Sequence, residues 1–118
     1  LGALPPSKVR EYMESSQIFL FTSDKNEGWG AVLNEAMNSG CAVVANKNIG
    51  SVPYMLKDNE NGLIYSGDID DLYNKVSRLF NDFNLTQKLS QSAYLSMIDK
   101  WNAKMASQRF ISIATSLL

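Results

Sequence analysis

The sequence predicts an α/β fold of three layers, in which helices cover both faces of a small parallel sheet. Short apolar runs without polar alternation recur along the chain, as is typical of strands buried on both faces. Segments with helical periodicity separate these runs, and this order implies right-handed crossovers between parallel strands. The chain has 118 residues, of which 45% are hydrophobic, and this suits a single domain with its own core.

The composition excludes several classes of function. Eleven basic and twelve acidic residues leave a formal charge of −1, which gives no indication of nucleic-acid binding. The absence of histidine excludes Ser-His-Asp and Cys-His catalysis and the usual zinc and iron sites. The single cysteine, Cys41, excludes an internal disulfide and fits a reducing compartment. Because it precedes an apolar run, we expect a buried, unreactive thiol.

The first predicted elements are a short helix and a strand. Two prolines, Pro5 and Pro6, indicate the start of a helix with Ser7 as its N-cap. Apolar residues at helical spacing continue this helix to about Glu14. The unbroken apolar run at 18–21 then predicts a buried strand.

A stretch with two glycines follows this strand directly. Gly28 and Gly30 allow a tight turn and a close approach to the backbone. A helix from about Ala31 follows, and its first amides are suited to an anion such as phosphate. Ligands of open α/β sheets bind beyond the carboxyl ends of strands, so we expect a site here, flanked by Glu27 and Glu35. The alternative is that both acids are simply solvated.

A second strand and a polar loop are predicted next. Gly40 ends the preceding helix in a left-handed conformation, and the strand occupies 42–45. The loop at 46–51 should lie on the same rim as Gly28. A short helix from Val52 to Lys57 would then direct its first amides toward the crevice.

The second half of the chain is predicted to be mostly helical. A third strand at 63–65 is followed by a helix that Asp68 caps, by a helix from 85 to about 99, and by a last helix over 103–118. The capped helix should bury a face formed by Ile69, Leu72, Val76, Leu79 and Phe80. Three or four strands are half of a usual doubly wound domain, so we expect an exposed sheet edge and an apolar helix face without a partner.

Five segments of the chain, in the same order and spacing, resemble the C-terminal half of a family 4, GT-B-type glycosyltransferase. The most specific is E-G-W-G at 27–30 with E-A-M at 35–37, which matches the family's E-x7-E motif. The others are G-A-L-P at 2–5, S-G-C-A-V-V-A at 39–45, N-G-L-I at 61–64 and K-W at 100–101. The resemblance implies a Rossmann-like α/β/α domain over residues 1–118, which would bind a nucleotide sugar. The acceptor-binding N-terminal domain would be missing.

The resemblance also implies roles for individual residues. Glu27 would contact the transferred sugar or its phosphate and help to position it, and Glu35 would accept hydrogen bonds from the ribose hydroxyls. The backbone at Gly28, Trp29 and Gly30 would face the sugar and the diphosphate. Helix N-termini would stabilise the leaving nucleoside diphosphate without a metal.

The chain departs from the family pattern in the loop after the second strand. Gly50 and Ser51 stand where two glycines are usual, and Tyr54 stands in place of an acid. We expect the amides of Gly50 and Ser51 to contribute to substrate binding. Trp101 is expected to serve in packing.

The function implied by the resemblance is sugar transfer from a UDP- or GDP-sugar to an acceptor glycan or lipid-linked sugar, with retention of configuration, in cell-surface polysaccharide biosynthesis. Neither a cofactor nor a metal is expected. The chain holds no catalytic residue and should be inactive without its N-terminal partner domain. The parent enzyme would be cytoplasmic or peripheral at the inner face of the membrane. The alternatives are a non-catalytic interaction or regulatory module and, less well matched because such enzymes use histidines, a phosphosugar epimerase.

Overall fold

The computed structural model describes residues 2–118 and has one parallel sheet. Its strands are β1 (Ile18–Phe21), β2 (Ala42–Asn46) and β3 (Leu63–Tyr65), in the order β1-β2-β3. In the register, Ile18 lies opposite Ala42, and Val44 lies opposite Leu63. The predicted small parallel sheet is therefore confirmed.

Helices connect and follow the strands in the predicted order. They are α1 (Pro6–Glu14), α2 (Val32–Asn38), α3 (Val52–Met55), α4 (Ile69–Asn81), α5 (Phe83–Asp99) and α6 (Ala103–Ser116). A 3-10 turn, Lys25–Glu27, precedes the glycine stretch. The helix predicted to reach Lys57 ends earlier, because the backbone at Leu56 is extended.

Two helix starts show where local sequence signals succeed and fail. The carboxylate of Asp68 accepts hydrogen bonds from the amides of Asp70 and Asp71, at 3.0 and 3.2 Å, and so caps α4 as predicted. The prediction that Ser7 caps α1 is wrong, because the helix begins at Pro6 with Pro5 at the cap position. Proline suits the first helical position, since it lacks the amide hydrogen that a cap would satisfy.

The sheet is covered on both faces, which confirms the three-layer arrangement. All five residues of β2 are buried, whereas the buried strand predicted at 18–21 is only partly correct, because it buries Phe21 and exposes Leu20 at the edge of the sheet. Val43 and Ala45 pack into a core cluster with side chains of α2, α3 and α5, while Ala42 and Val44 join a cluster on the opposite face with residues of α4. The middle strand therefore holds the two halves of the core together.

The predicted apolar face of α4 is only partly correct. Leu79 is buried, and Leu72 and Val76 pack against the core beside it. Ile69 and Phe80 are exposed instead. Phe80 lies about 100° around the helix from Leu79 and therefore off the buried face. Ile69 is the first residue of α4 and lies past the end of the part that packs against the sheet.

The last helix carries the unpartnered apolar face that the sequence predicts. Among the residues that the structure describes, α6 contributes none to the core. Its large apolar side chains, and those just after it, are exposed at Phe110, Ile111, Ile113, Leu117 and Leu118. None of the helices in residues 2–118 has both the length and the apolar character needed to cross a bilayer.

Candidate functional site

Two loops meet at the carboxyl ends of β1 and β2. We call residues 22–31 the first loop and residues 47–51 the second loop. The amide of Gly50 donates to the carbonyl of Gly28, and the amide of Ser51 donates to the carbonyl of Trp29, both at 2.9 Å. The amides of Gly50 and Ser51, which we expected to face a ligand, are thus engaged in joining the loops. Their donation to a ligand stays a prediction.

Two glycines are required for the loops to approach this closely. Gly30 has a φ of +76°, and a Cβ there would lie 2.8 Å from the ring of Phe21. A Cβ at Gly50 would lie 2.2 Å from the carbonyl oxygen of Gly28, which is a backbone atom and cannot rotate away. The tight turn predicted at Gly28 and Gly30 is confirmed by positive φ values at both residues.

Three consecutive amides of the first loop form no hydrogen bond to a backbone carbonyl in the described part of the chain. Within residues 2–118, the amides of Gly28, Trp29 and Gly30 donate to no backbone carbonyl. The amides on either side that do bond are those of Glu27, which donates to Asp24, and of Leu33, which donates to Gly30. A run of unpaired amides is suited to binding an anion or the oxygen atoms of a sugar.

Glu27 closes the 3-10 turn in front of these amides. Its carboxylate accepts a hydrogen bond from the hydroxyl of Ser23 at 2.7 Å and is exposed to solvent. Asp24 caps the same turn by accepting from the amide of Asn26 at 2.8 Å. These bonds fix the direction of the Glu27 side chain while leaving its carboxylate accessible.

Glu35 lies on α2 and lines a cleft between α1 and α2. The cleft has a volume of about 540 Å³, within the roughly 300–1,000 Å³ typical of ligand pockets. Arg10 and Glu14 of α1 line it from the other side. We did not single out these two residues from the sequence. Their four-residue spacing places them on one helix face, but only the packing of α1 beside α2 brings that face to Glu35.

The two glutamates of the motif lie in different parts of the molecule. Glu27 is on the first loop and does not line the cleft, whereas Glu35 does. Within residues 2–118 the carboxylate of Glu35 takes part in no salt bridge. The unpaired amides of the first loop and the carboxylate of Glu27 thus form one part of the candidate site. The cleft with the carboxylate of Glu35 forms a separate part.

Three aromatic rings lie close together at the first loop. The ring of Trp29 lies 5.7 Å from that of Tyr54 and 6.3 Å from that of Trp101. Trp101 packs against the core, as predicted. Tyr54 comes close because the bond between Ser51 and Trp29 holds the start of α3 against the first loop.

The cysteine is buried, as the sequence predicts. The thiol of Cys41 donates to the carbonyl of Met13 at 3.2 Å. Burial raises the pKa of this thiol, which lowers its thiolate fraction and hence its reactivity. Cys41 therefore belongs to the core between α1 and the sheet rather than to the site.

Comparison with known families gives one match that covers most of the chain. The profile described as "Glycosyl transferases group 1" matches residues 1–96. Among curated protein sequences, none matches the chain at a significant level.

Several solved structures have the same fold. The C-terminal domain of a glycosyl transferase group 1 family protein, LpcC from Francisella tularensis, is 29% identical over 87% of this chain, with a TM-score of 0.77. Sucrose-phosphate synthase from Thermosynechococcus elongatus is 19% identical over 99% of the chain, with a TM-score of 0.82. HepE from Anabaena, solved in complex with UDP, is 23% identical over 90% of the chain, with a TM-score of 0.79.

These structures confirm the predicted fold as that of a GT-B C-terminal domain. The chain spans 53% of the LpcC chain and 29% of each of the other two. It thus corresponds to about half, or less, of the proteins it resembles.

Proposed function

The chain belongs to the glycosyl transferases group 1 family, and we propose that it is the nucleotide-sugar-binding domain of a sugar-transferring enzyme. The observation that carries the proposal is the first loop, whose amides at Gly28, Trp29 and Gly30 form no backbone hydrogen bond within residues 2–118 and lie between Glu27 and Glu35 in the chain. Backbone amides bind the oxygen atoms of a diphosphate, and carboxylates accept hydrogen bonds from sugar hydroxyls.

The cleft beside α1 suits the nucleoside part of the donor. A ribose presents two neighbouring hydroxyls, and an ionised carboxylate can accept a hydrogen bond from each. Glu35 is the carboxylate that we assign to this task, because it lines the cleft and forms no salt bridge within residues 2–118. Arg10 and Glu14 would contact the nucleoside from the opposite wall.

The sugar and the diphosphate would then lie over the first loop. Glu27 is held by Ser23 at the edge of this loop, so its carboxylate can accept hydrogen bonds from the hydroxyls of the transferred sugar. The amides of Gly28, Trp29 and Gly30 would stabilise the negative charge that develops on the leaving diphosphate. No metal or cofactor is assigned to this step.

We take UDP as the first candidate nucleotide and GDP as the second. HepE from Anabaena, which has this fold, is solved in complex with UDP and with UDP-glucose. On the resemblance stated above, the parent enzyme would transfer a hexose with retention of configuration to an acceptor glycan or lipid-linked sugar. The proposal includes a role in cell-surface polysaccharide synthesis, in the cytoplasm or at the inner face of the membrane. An N-terminal domain would supply the acceptor site and the catalytic groups.

Titration of the isotopically labelled chain with UDP, GDP, UDP-glucose and GDP-mannose, followed by NMR, tests the proposal. We expect one nucleotide to shift the amide signals of Gly28, Trp29 and Gly30. Glu35→Ala should weaken its binding at least about tenfold, because a hydrogen bond to a charged group is worth about 1.5–3 kcal/mol. The matched control is Glu11→Ala, which removes an exposed glutamate of α1 that pairs with Lys8 at the surface.

Two results would count against the proposal. One is a folded chain in which none of the four nucleotides shifts any amide signal, and it would favour the alternative, a non-catalytic interaction module, for which the exposed apolar residues of α6 are the supporting observation. The other is equal nucleotide binding by Glu35→Ala and Glu11→Ala, and it would remove Glu35 and its cleft from the donor site.

A further inference from the structure

We propose that Tyr54 and Trp101, with the ring of Trp29 next to them, form one wall of a second subsite, which binds a pyranose ring by stacking. The subsite is separate from the cleft that Glu35 lines. That it holds a second sugar unit next to the donor rests on the proposed function, whereas its ability to bind a sugar ring does not.

The aromatic rings form an exposed surface where a soluble domain would ordinarily bury them. Trp29 is 48% exposed and Tyr54 is 70% exposed. Their ring centroids lie 5.7 Å apart with an angle of 31° between the planes, so the two rings are in contact and form one aromatic cluster. One face of a pyranose carries several C–H bonds and few hydroxyls, and such a face packs favourably on aromatic rings. Tyrosine and tryptophan also combine an apolar face with a polar group that can remain hydrated.

A hollow next to these rings has room for one sugar unit. Tyr54 and Trp101 line it, and its volume is about 290 Å³, at the lower end of the roughly 300–1,000 Å³ of ligand pockets. Lys57, Glu60 and Lys100 line the same hollow. Ammonium groups donate hydrogen bonds and carboxylates accept them, so this rim can pair with hydroxyls in both directions.

The charged groups of the rim are accessible to a ligand. Lys57 and Glu60 form a long salt bridge of 3.7 Å at the surface, and a bond of this kind contributes little to stability. Lys100 forms no salt bridge within the part of the chain that the structure describes. Sugar hydroxyls can therefore bind to these side chains without disrupting a strong interaction.

A buried asparagine holds the walls of the hollow in place. The amide group of Asn61 donates to the carbonyl of Met55 at 3.0 Å and to the hydroxyl of Ser96 at 3.1 Å. Its side-chain oxygen accepts from the amide of Lys57 at 2.7 Å. Asn61 thus ties α3, the loop after it and α5 together, so the hollow is formed before any ligand arrives.

The subsite adjoins the proposed position of the donor sugar. Trp29 lies between the two glycines of the first loop, and the amide of Ser51 joins its carbonyl to the start of α3. Tyr54 lies on the same short helix, three residues beyond Ser51. A sugar ring held against Tyr54 would therefore lie close to Trp29 and to the unpaired amides that we assign to the donor.

Saturation-transfer NMR with simple glycosides tests this subsite directly. The probes are methyl α-glucopyranoside, methyl β-glucopyranoside and methyl α-mannopyranoside, and the control ligand is sorbitol, which has similar hydroxyls but no ring. We expect at least one glycoside to receive saturation and to shift the indole signals of Trp29 and Trp101. Sorbitol should give neither effect.

Substitutions of exposed tyrosines separate stacking from general surface effects. Tyr54→Ala should weaken glycoside binding about fivefold, as expected for the loss of one aromatic contact. Tyr54→Phe keeps the ring and should stay within about twofold of the unaltered chain. Tyr73→Ala is the matched control, because Tyr73 lies on α4 and is 71% exposed; it should leave binding unchanged.

The results distinguish failure of this subsite from failure of the donor site. If UDP binds but no glycoside does, or if sorbitol binds equally well, the stacking subsite is overturned and the donor site stands. The subsite is also overturned if Tyr54→Ala and Tyr73→Ala bind a glycoside equally. If glycosides bind through Tyr54 and no nucleotide binds, the subsite stands as a glycan-binding site and the donor function fails.

Discussion

The joined loops and α6 differ in the burial of their apolar residues, because Ile49 of the second loop is fully buried whereas most large apolar side chains of α6 are exposed. In the loops, single atoms determine the structure, since one added methyl group at Gly50 would overlap a carbonyl oxygen. In α6, large side chains such as Phe110 and Ile113 contact solvent. The difference teaches that an apolar pattern predicts an element but not its burial, because burial needs a second surface.

The two regions also differ in how far their contacts reach. The bond from Gly50 to Gly28 joins residues that are distant in the chain and fixes two strand ends together. The hydrogen bonds within α6 are local, such as the one from the hydroxyl of Thr115 to the carbonyl of Ile111. Local bonds can maintain a helix, but the long-range bonds give the site its shape.

The largest expected difference between the buried core and α6 is in thiol labelling. Ser112→Cys introduces an exposed thiol on α6, while the native thiol of Cys41 is buried in the same molecule. We expect the introduced thiol to react at least about a thousandfold faster, because labelling of Cys41 requires the core to open. Reaction with a chromogenic disulfide should therefore show two well-separated phases. Two equal rates would mean that the core beside α1 opens freely.

The next largest difference is expected in stability. Leu33→Ala removes a fully buried side chain of α2 and should lower the free energy of unfolding by about 3 kcal/mol. Leu117→Ala is the matched change near the end of α6, where the side chain is 81% exposed, and it should cost under about 0.5 kcal/mol. Urea unfolding of both variants measures this. A large cost for Leu117→Ala would show that α6 is covered by another surface in solution.

A smaller effect is expected for the glycine at the contact between the two loops. Gly50→Ala should cost about 2 kcal/mol, because the added Cβ would force the loops apart. Gly40→Ala is the control: this residue also has a positive φ, of +77°, but its nearest neighbour would be 4.0 Å away. That variant should cost about 1 kcal/mol, from the backbone conformation alone. Equal unfolding energies for the two variants would refute the close packing of the loops.

The smallest effect is expected at the start of α4, outside both regions. The backbone amide of Ser66 donates to the carboxylate of Asp71 at 2.8 Å and lowers the pKa of that group. Since the folded pKa lies below the unfolded one, the stabilisation is present above the unfolded pKa and is lost as the pH falls through the folded pKa. Asp71→Asn should therefore be less stable than the unaltered chain at neutral pH, and this difference should shrink in acid.

Unfolding curves at neutral pH and at about pH 2.5 measure this change. Asp70→Asn is the control, because the side chain of Asp70 does not bond to Ser66. A stability difference for Asp71→Asn that is the same at both pH values would rule out the ionic contribution.

Much of the fold could be predicted because its signals are local. Unbroken apolar runs specify the three strands, since each side chain of a doubly covered strand must be apolar. Asp68 specifies the start of α4 through bonds to amides two and three residues away. The wrong predictions also concerned local features. The helix α1 begins at Pro6 and is not capped by Ser7, and Phe80 lies just beside the buried stripe of α4.

The candidate site could be predicted only in part. The turn at Gly28 and Gly30 follows from residue type, because glycine alone adopts such backbone angles cheaply. The positions of Glu27 and Glu35 follow from a motif. That Arg10 faces Glu35 across a cleft is a property of helix packing, and no spacing within either helix encodes it.

By itself, then, the sequence determined the order of the elements, the glycine turn and the apolar character of α6. Only the tertiary structure decided that the amides of Gly50 and Ser51 bond to the first loop, that Tyr54 and Trp101 meet at Trp29, and that α6 has no partner among the described residues. The physical reason is the range of the interactions. Backbone preference and helical or strand periodicity act between neighbours in the chain, whereas the site depends on surfaces that the parallel sheet brings together from distant segments.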